Sequence, residues 1–355
     1  LTHRVAAIDC GTNSIRLLIA ELNSNSLDTE RVPGDTGTAH PAPPAQCDLT
    51  RQMRIVRLGE GVDRTGRLSE AALDRTMTAL REYAGLIAEA GPRSIRMVAT
   101  SATRDAANSR EFTDRVVAVL GVAPEVISGE EEARLSFSGA TRELAGRPLG
   151  AAGQCPPPYL VTDIGGGSTE FVLGGHPSPG GHPSAGDGQQ LQAVSVNIGC
   201  VRLTERHLHG DPPAPAEIAA AVSDIDDALD QVASAVRAER ASTLVGLAGS
   251  VTTVAAIALG LDRYLPDRIH HSRVTAAQVH EISARLLAMT RAERAEIPGM
   301  HPGRIDVIGA GALVLSQIMT RFRFAEVLVS EHDILDGIAW SLVPFPVSQA
   351  ATDRV

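Results

Sequence analysis

Two short stretches lying 154 positions apart follow one pattern: Asp9-Cys10-Gly11-Thr12-Asn13-Ser14 and Asp163-Ile164-Gly165-Gly166-Gly167-Ser168. In each, an apolar run ends at an aspartate, turns through glycine and small polar residues, and resumes as a second apolar run. A separation of about one domain length marks a duplicated domain rather than a local repeat. The chain has 355 residues, enough for two separate cores. If each half carries this strand–turn–strand hairpin at the same place in its sheet, the two turns face each other across a cleft.

The rest of the chain keeps the duplication: each half opens with strands and then alternates strand and helix. In the first half, two strands fill Arg4 to Leu22 and precede a Pro/Gly/Ser/Thr-rich run at about 24–50, expected to be a mobile insertion. "MRIVRLGEGV" is read as the next strand. Ser69 then caps a helix with Leu73, Met77, Leu80, Ala84 and Ile87 on one face and Gly91 as its stop. "SIRMVATSATRDA" and "PEVISGEEEARLSF" are strands that enter helices. The second half has the hairpin "YLVTDIGGGSTEFVLGG", an insertion at about 175–190, and "LQAVSVNIGCVRLTE" as strand into helix. A helix at about 215–238, "STLVGLAGSVTTVAAIAL" as strand, turn and helix, and helices near 275–290 and 304–322 follow. The strand "EVLVSEHD" and the helix "ILDGIAWSLV" close the pattern. The expected domains are 1–133 and 134–343, with the last helix packing back on the first domain and a flexible tail at 344–355.

Composition removes several function classes. A net charge of −10 argues against a general nucleic-acid binder, which carries a basic excess. The sequence contains no lysine, so all 32 basic residues are arginine; a Walker A loop and a Schiff-base mechanism are excluded. Cys10, Cys47, Cys155 and Cys200 show no metal-type spacing, which favours free thiols in a reducing compartment. "LTHRVAAIDCG" enters a strand with no apolar signal segment, and a cytoplasmic protein is expected. The apolar run Leu244 to Leu261 carries Gly246, Gly249, Ser250, Thr252, Thr253 and Gly260, so it reads as strand–turn–helix rather than a membrane span.

The turns carry the chemistry. Glycine-rich turns aim backbone N–H groups together and let an anion approach without cationic side chains. "GTNS" (Gly11, Thr12, Asn13, Ser14), "GGGST" (Gly165, Gly166, Gly167, Ser168), "NIGC" with Gly199, and "GLAGSVTT" with Gly249 and Ser250 supply four such turns. Four turns exceed what a monophosphate needs and suit a nucleotide or a chain of phosphates. Asp163 and Glu170 flank the second turn; two oxygen ligands beside a phosphate cradle suit Mg²⁺, and Asp9 is the matching candidate in the first half. Plain turn formation by the aspartates and a solvent-facing Glu170 are the bland alternatives.

"ISGEEEARL" offers a general base. Ser128 and Glu131 fit a capping box, leaving Glu130 and Glu132 facing different directions, either of which could meet a cleft. Arg104, at a strand–loop–helix junction, can grip phosphate oxygens in a bidentate manner or pair with Asp105 or Glu111; Arg202 after "NIGC" has the same status. His207 and His209, His270 and His271, and His176 and His182 read as polar loop positions rather than metal ligands. Cys10 and Cys200 read as small space-fillers.

"AAIDCGTNSIRLLIA", "RLGEGVDRTGRLSEAAL", "ATSATRDAAN", "VISGEEEARLSF", "VTDIGGGSTEFVLG", "IGCVRLTE", "GLAGSVTTVAAI" and "VSEHDILDGI" occur in this order, and together they resemble the exopolyphosphatase / guanosine pentaphosphate phosphohydrolase (Ppx/GppA) family in its short form. The resemblance spans nearly the whole chain outside the insertions and tail. It departs at Asn197, where proline or leucine is more usual, and at Thr12, where serine is. It implies an α/β fold of two ribonuclease-H-like domains around a cleft, in the actin / Hsp70 / sugar-kinase superfamily. It also implies Mg²⁺-dependent hydrolysis of a terminal phosphoanhydride. Carried over by position, the catalytic glutamate is Glu132, the metal acids are Asp163 and Glu170, the phosphate turns are Gly11 to Ser14 and Gly165 to Ser168, and the phosphate-gripping arginine is Arg104.

The expected activity is removal of terminal orthophosphate from inorganic polyphosphate by a water activated by Glu132, in a homodimer that binds neither nucleic acid nor membrane. Rival readings are a guanosine pentaphosphate phosphohydrolase or an ATP-hydrolysing enzyme of the same fold. From another class comes a non-catalytic sensor of polyphosphate or of guanosine tetra- or pentaphosphate.

Overall fold

A computed structural model of the chain describes residues 2–23, 45–144, 155–175 and 191–343. Most of both expected insertions and the tail lie outside these residues. Five strands build the first sheet: β1 (Thr2–Cys10), β2 (Ser14–Asn23), β3 (Gln46–Ile55), β4 (Ser94–Ala99) and β5 (Glu125–Val126), in the order β3-β2-β1-β4-β5. Six build the second: β6 (Tyr159–Ile164), β7 (Thr169–Gly174), β8 (Gln192–Val196), β9 (Thr243–Leu247), β10 (Arg273–Thr275) and β11 (Glu326–Val329), in the order β10-β11-β9-β6-β7-β8.

The duplication is visible in the ladders. β1 pairs antiparallel with β2 and parallel with β4; β6 pairs antiparallel with β7 and parallel with β9. Reading β8-β7-β6-β9-β11 reproduces the first sheet, and β10 adds an edge. This is the mixed α/β architecture that the resemblance implied. The central strands are buried on both faces, so they read as apolar runs rather than as alternations. Every residue of β6 and β7 is buried.

Helices cover both faces of the first sheet. Glu70–Ala90 and Ser109–Leu120 pack Leu73, Leu80, Tyr83, Phe112 and Val116 against Ile8, Leu17 and Met97. The Ser69 hydroxyl accepts from the Ala72 amide, and Gly91 ends the first of these helices in the left-handed region. On the opposite face lies the last helix, Ile334–Ser341, whose Ile334, Leu335, Ile338 and Trp340 pack with Val5, Leu18 and Val98. Each such side chain, fully buried, contributes about 1.5–3 kcal/mol, which is ample reason for this segment to return to the first sheet.

The helix Gly129–Thr141 lies between the two halves. Its Ala133, Phe137 and Ala140 pack on Tyr159, Val161 and Val172 of the second sheet, while Leu135 joins the core of the last helix. The two helices approach to backbone contact. A Cβ on Gly139 would lie 1.9 Å from the Asp333 carbonyl oxygen, and one on Gly337 would lie 2.1 Å from that of Leu135. The division expected after residue 133 falls inside this continuous helix.

Two readings need correction. β3 begins at Gln46, inside the stretch expected to be an insertion, and it ends at Ile55; the "RLGEGV" that followed is a turn leading into the short helix Val62–Thr65. β3 is an edge strand with five exposed residues among its ten, so no apolar alternation announced it. Leu244 to Leu261 is strand and helix as expected, and no helix among the described residues is long and apolar enough to cross a membrane.

Candidate active site

The two hairpins close in the same way. The Gly11 amide donates to the Ser14 carbonyl at 2.9 Å, and the Gly165 amide donates to that of Ser168 at 3.0 Å. In register, Asp9 lies opposite Arg16, and Asp163 lies opposite Glu170. The turns then meet. A Cβ on Gly167 would come within 2.7 Å of both the Thr12 and Ser101 hydroxyl oxygens, which themselves hydrogen-bond at 2.8 Å. Glycine is required here for approach; none of Gly165, Gly166 and Gly167 is in the left-handed region. The amides of Thr12, Asn13, Gly166 and Gly167 have no backbone acceptor among the described residues.

Between the turns lies a cavity of about 100 Å³. Its wall includes Asp9, Gly11, Thr12, Asn13, Ser14, Asp163, Gly165, Gly166, Ser168, Glu132, Gly249 and Ser250. Glu132 settles the alternative left open by the glutamate run. Glu130 turns outward to Arg134 at 2.6 Å, Glu131 lies 3.6 Å from Arg96, and Glu132 faces the cavity. The Ser128 hydroxyl accepts from the Glu131 amide at 3.2 Å, so the cap sets the helical phase that aims Glu132 inward.

The acids are buried: Asp9 is 4% exposed, Asp163 7%, Glu170 2% and Glu132 8%. Burial pushes Asp163 up to about 6, with nearby Asp333 adding to the shift and the Ser136 hydroxyl, donating at 2.7 Å, opposing it. Burial and the charge of Asp163 push Glu170 up to about 7, despite a 2.7 Å hydrogen bond from Ser195. Glu132 is raised well above the usual carboxylate range by burial first and then by Glu170, with Arg104 pulling the other way. Asp9 is raised by burial, against the opposing guanidinium of Arg16.

Several expected residues serve the site from behind. Glu170 is not on the cavity wall; it lies beside Asp163 in the ladder. Arg104 does not line the wall either, because its Nη1 donates to the Ile127 carbonyl at 2.8 Å and to Glu132 at 3.3 Å. It holds the carboxylate that faces the cavity. Gly199 lies under the second turn, where a Cβ would meet the Gly166 carbonyl oxygen at 2.4 Å. The amides of Cys200, Val201 and Arg202 donate to the Gly165 and Gly166 carbonyls, so "NIGC" buttresses the turn instead of offering amides to an anion. Arg202 is a latch between the halves: it donates to Gly167 O at 2.6 Å, Asp63 at 2.7 Å and Asp105 at 2.5 Å.

Sequence reasoning missed Arg16, Asp333, Arg304 and Ala248. The Arg16 guanidinium bridges Asp9, at 2.7 Å, and Asp333. Burial alone would depress Arg16, but Asp333 and Asp9 more than reverse this, so it keeps its charge. Its signal was available, since Arg16 occupies in the first hairpin the place Glu170 occupies in the second. Asp333 caps the last helix through the Leu335 amide at 3.0 Å, and it is only the tertiary structure that brings it to Arg16 on this cavity's wall. Arg304 donates to Thr253 at 2.9 Å and lines the wall beside Gly249. Ala248, with φ of 65°, holds a conformation costly for a residue with a Cβ and sits on the same wall.

The donor set suits a hard divalent cation. Buried carboxylates this close raise one another's pKa, and a cation among them relieves that repulsion. The Asn13 Oδ1, also buried at the wall, has no hydrogen-bond partner among the described residues. Asp9, Asp163 and Glu170 do not bring three ligand oxygens within 4.8 Å of one another. They fit Mg²⁺ held by one or two carboxylates and otherwise by water, its usual habit.

Paired turns of a two-lobed α/β protein that enclose buried acids and amides without a backbone acceptor define a site for a phosphate ester or phosphoanhydride. The sequence model of the Ppx/GppA phosphatase family matches residues 42–345. Exopolyphosphatase 2 of Mycobacterium tuberculosis is 46% identical over 348 residues, 96% of this chain and 98% of the relative. The crystal structure of an exopolyphosphatase-like protein superposes with a TM-score of 0.81 at 42% identity, covering 96% of this chain and 98% of that one. That of the Aquifex aeolicus Ppx/GppA family member does so with 0.72 at 28% identity, covering 96% and 97%. The chain belongs to the Ppx/GppA phosphatase family.

Proposed function

We propose that this protein is a Mg²⁺-dependent exopolyphosphatase that releases terminal orthophosphate from inorganic polyphosphate. The observation that carries the reading is the convergence of both hairpin turns and the buried Glu132 on one cavity. The amides of Thr12, Asn13 and Gly166, all on the cavity wall, bind the oxygens of the terminal phosphoryl group. Arg104 orients Glu132 from behind, and Ser136 and Ser195 orient Asp163 and Glu170. Glu132 accepts a proton from the attacking water; a carboxylate raised by burial is a stronger base than an exposed one. The water oxygen forms the new bond to phosphorus as the bridging P–O bond breaks, and the shortened chain leaves as the anion. Asp163, with Asp9 and Glu170 in support, would hold Mg²⁺, which would supply neutralisation of charge on the phosphoryl oxygens. The relative's name, exopolyphosphatase 2, supports the choice of substrate.

A second reading has its own support. A larger cavity of about 500 Å³ adjoins the first and shares Arg16, Met53, Ala248, Gly249 and Arg304 with it. Its Tyr264, Met300 and Pro302 offer apolar surface suited to a nucleoside, so guanosine pentaphosphate or ATP is a candidate for the same chemistry. Orthophosphate release from polyphosphates of defined length, guanosine pentaphosphate and ATP, each with and without Mg²⁺, tests both. Fastest Mg²⁺-dependent release from polyphosphate is expected. Binding of polyphosphate without turnover would overturn the reading in favour of a sensor.

A further inference from the structure

His270, expected to be a plain loop residue, is gathered with two other groups outside the catalytic cavity. Glu143 follows the helix Gly129–Thr141, His270 follows the short helix Pro266–Ile269, and His332 lies in the segment before the last helix. One ligand atom from each lies within 4.8 Å of the other two. His270 Nε2 is 3.1 Å from Glu143 Oε2, and His332 Nδ1 is 3.5 Å from Glu143 Oε1. Donors about 2.0–2.1 Å from a tetrahedral Zn²⁺ are themselves about 3.3–3.4 Å apart, and each imidazole already stands at about that distance from one oxygen of the Glu143 carboxylate, His270 from Oε2 and His332 from Oε1. His271 stacks on His270 with ring centroids 3.6 Å apart, and His332 lies 4.7 Å from His270, which restricts the imidazoles. The Glu143 side chain is 49% exposed, giving an ion a route in and a water a place as fourth ligand.

We propose that Glu143, His270 and His332 form a site for one divalent transition ion of the Zn²⁺ type. Two imidazoles and one carboxylate favour such an ion over Mg²⁺, which prefers oxygen. Glu143 is ready for the role: the hydrogen bond from His270 holds it down to about 2, fully ionised at neutral pH. Coordination has one structural consequence. The Glu331 amide donates to His270 Nδ1 at 3.1 Å, so the ring proton sits on Nε2. Metal at Nε2 moves that proton to Nδ1, where two donors would oppose each other, and the Glu331 amide must turn away. Asp333 is two residues further on, and Arg16 ties it to the cavity wall. An ion at this surface therefore shifts the segment 330–333 and slows hydrolysis.

The test uses the full chain in excess Mg²⁺, which keeps the carboxylate cavity occupied. Zn²⁺ affinity is read by competition with a chromophoric chelator, and Co²⁺ serves as the spectroscopic probe. Wild type is expected to bind one Zn²⁺ and to give the intense visible bands of four-coordinate Co²⁺. Glu143→Gln, an exposed near-isosteric change, and His332→Ala should each weaken Zn²⁺ at least tenfold and abolish those bands. Micromolar Zn²⁺ should slow phosphate release by wild type and leave Glu143→Gln unaffected. Equal affinity in wild type and both variants, or the weak spectrum of six-coordinate Co²⁺, would overturn the site. Loss of binding in the variants with no Zn²⁺ effect on wild-type hydrolysis would overturn the link to Asp333.

Discussion

Glu132→Gln isolates the proton-accepting step. The amide fills the same volume and can still accept from Arg104, which stands 3.3 Å away and is itself 28% exposed, so the helix and the cap at Ser128 are retained. What is lost is a base raised by burial and by the charge of Glu170. A positioned general base contributes about 10²–10⁴-fold, or about 3–5.5 kcal/mol of barrier. The amides proposed to bind phosphate oxygens and the Asp163 carboxylate proposed to hold Mg²⁺ are untouched, so KM should move less than about threefold while kcat carries the loss. The assay is steady-state orthophosphate release from polyphosphate at saturating Mg²⁺, with equilibrium binding of the same polymer measured beside it. A second signature comes from pH. Glu132 must be ionised to accept a proton, so wild-type kcat falls as pH drops through its raised pKa, and the residual rate of the variant should lack that acid limb. A variant that keeps kcat within about threefold of wild type, or keeps the acid limb, would refute the assignment.

Three further outcomes follow from the same geometry. Asp163 and Glu170 have folded-state pKa values raised to about 6 and about 7, so between their ordinary values and these the folded state binds more protons than the unfolded one. The metal-free protein should therefore gain Tm as pH falls from 8 to 5.5; Mg²⁺ at pH 8 should restore the loss, and Glu170→Gln should flatten the dependence. Arg16→Met strands the buried Asp9 and Asp333 without their shared cation and should cost about 3–5 kcal/mol in urea unfolding. Gly167→Ala forces a methyl within 2.7 Å of the Thr12 and Ser101 hydroxyls. It should cost about 1–3 kcal/mol and, by parting the turns, depress phosphate release further than the stability loss explains, whereas Gly85→Ala, with open space around it, should do neither.

Much of the fold was legible because it rests on local chemistry repeated twice. Apolar runs that end at Asp9 and Asp163 became β1 and β6, and Ser69 with Gly91 bounded a helix as written. β3 escaped because an edge strand half in solvent has no apolar rhythm. In the site, Arg104 and Gly199 were read one layer too far forward. A glycine that binds phosphate and a glycine that lets two backbones touch look alike in sequence, as do an arginine on a substrate and an arginine on a glutamate.

The amino-acid sequence by itself determined that there are two like halves, that each ends a central strand in an acid beside a glycine turn, and that lysine chemistry is absent. These depend on periodicity and residue type, which neighbouring positions carry. The tertiary structure alone decided which glutamate of the run meets the cavity, that Asp333 returns 317 positions along the chain to Arg16, and that Glu143, His270 and His332 share a corner. Such contacts depend on how two sheets and a shared helix pack, and packing sums weak, non-directional terms over the whole core that no single stretch encodes.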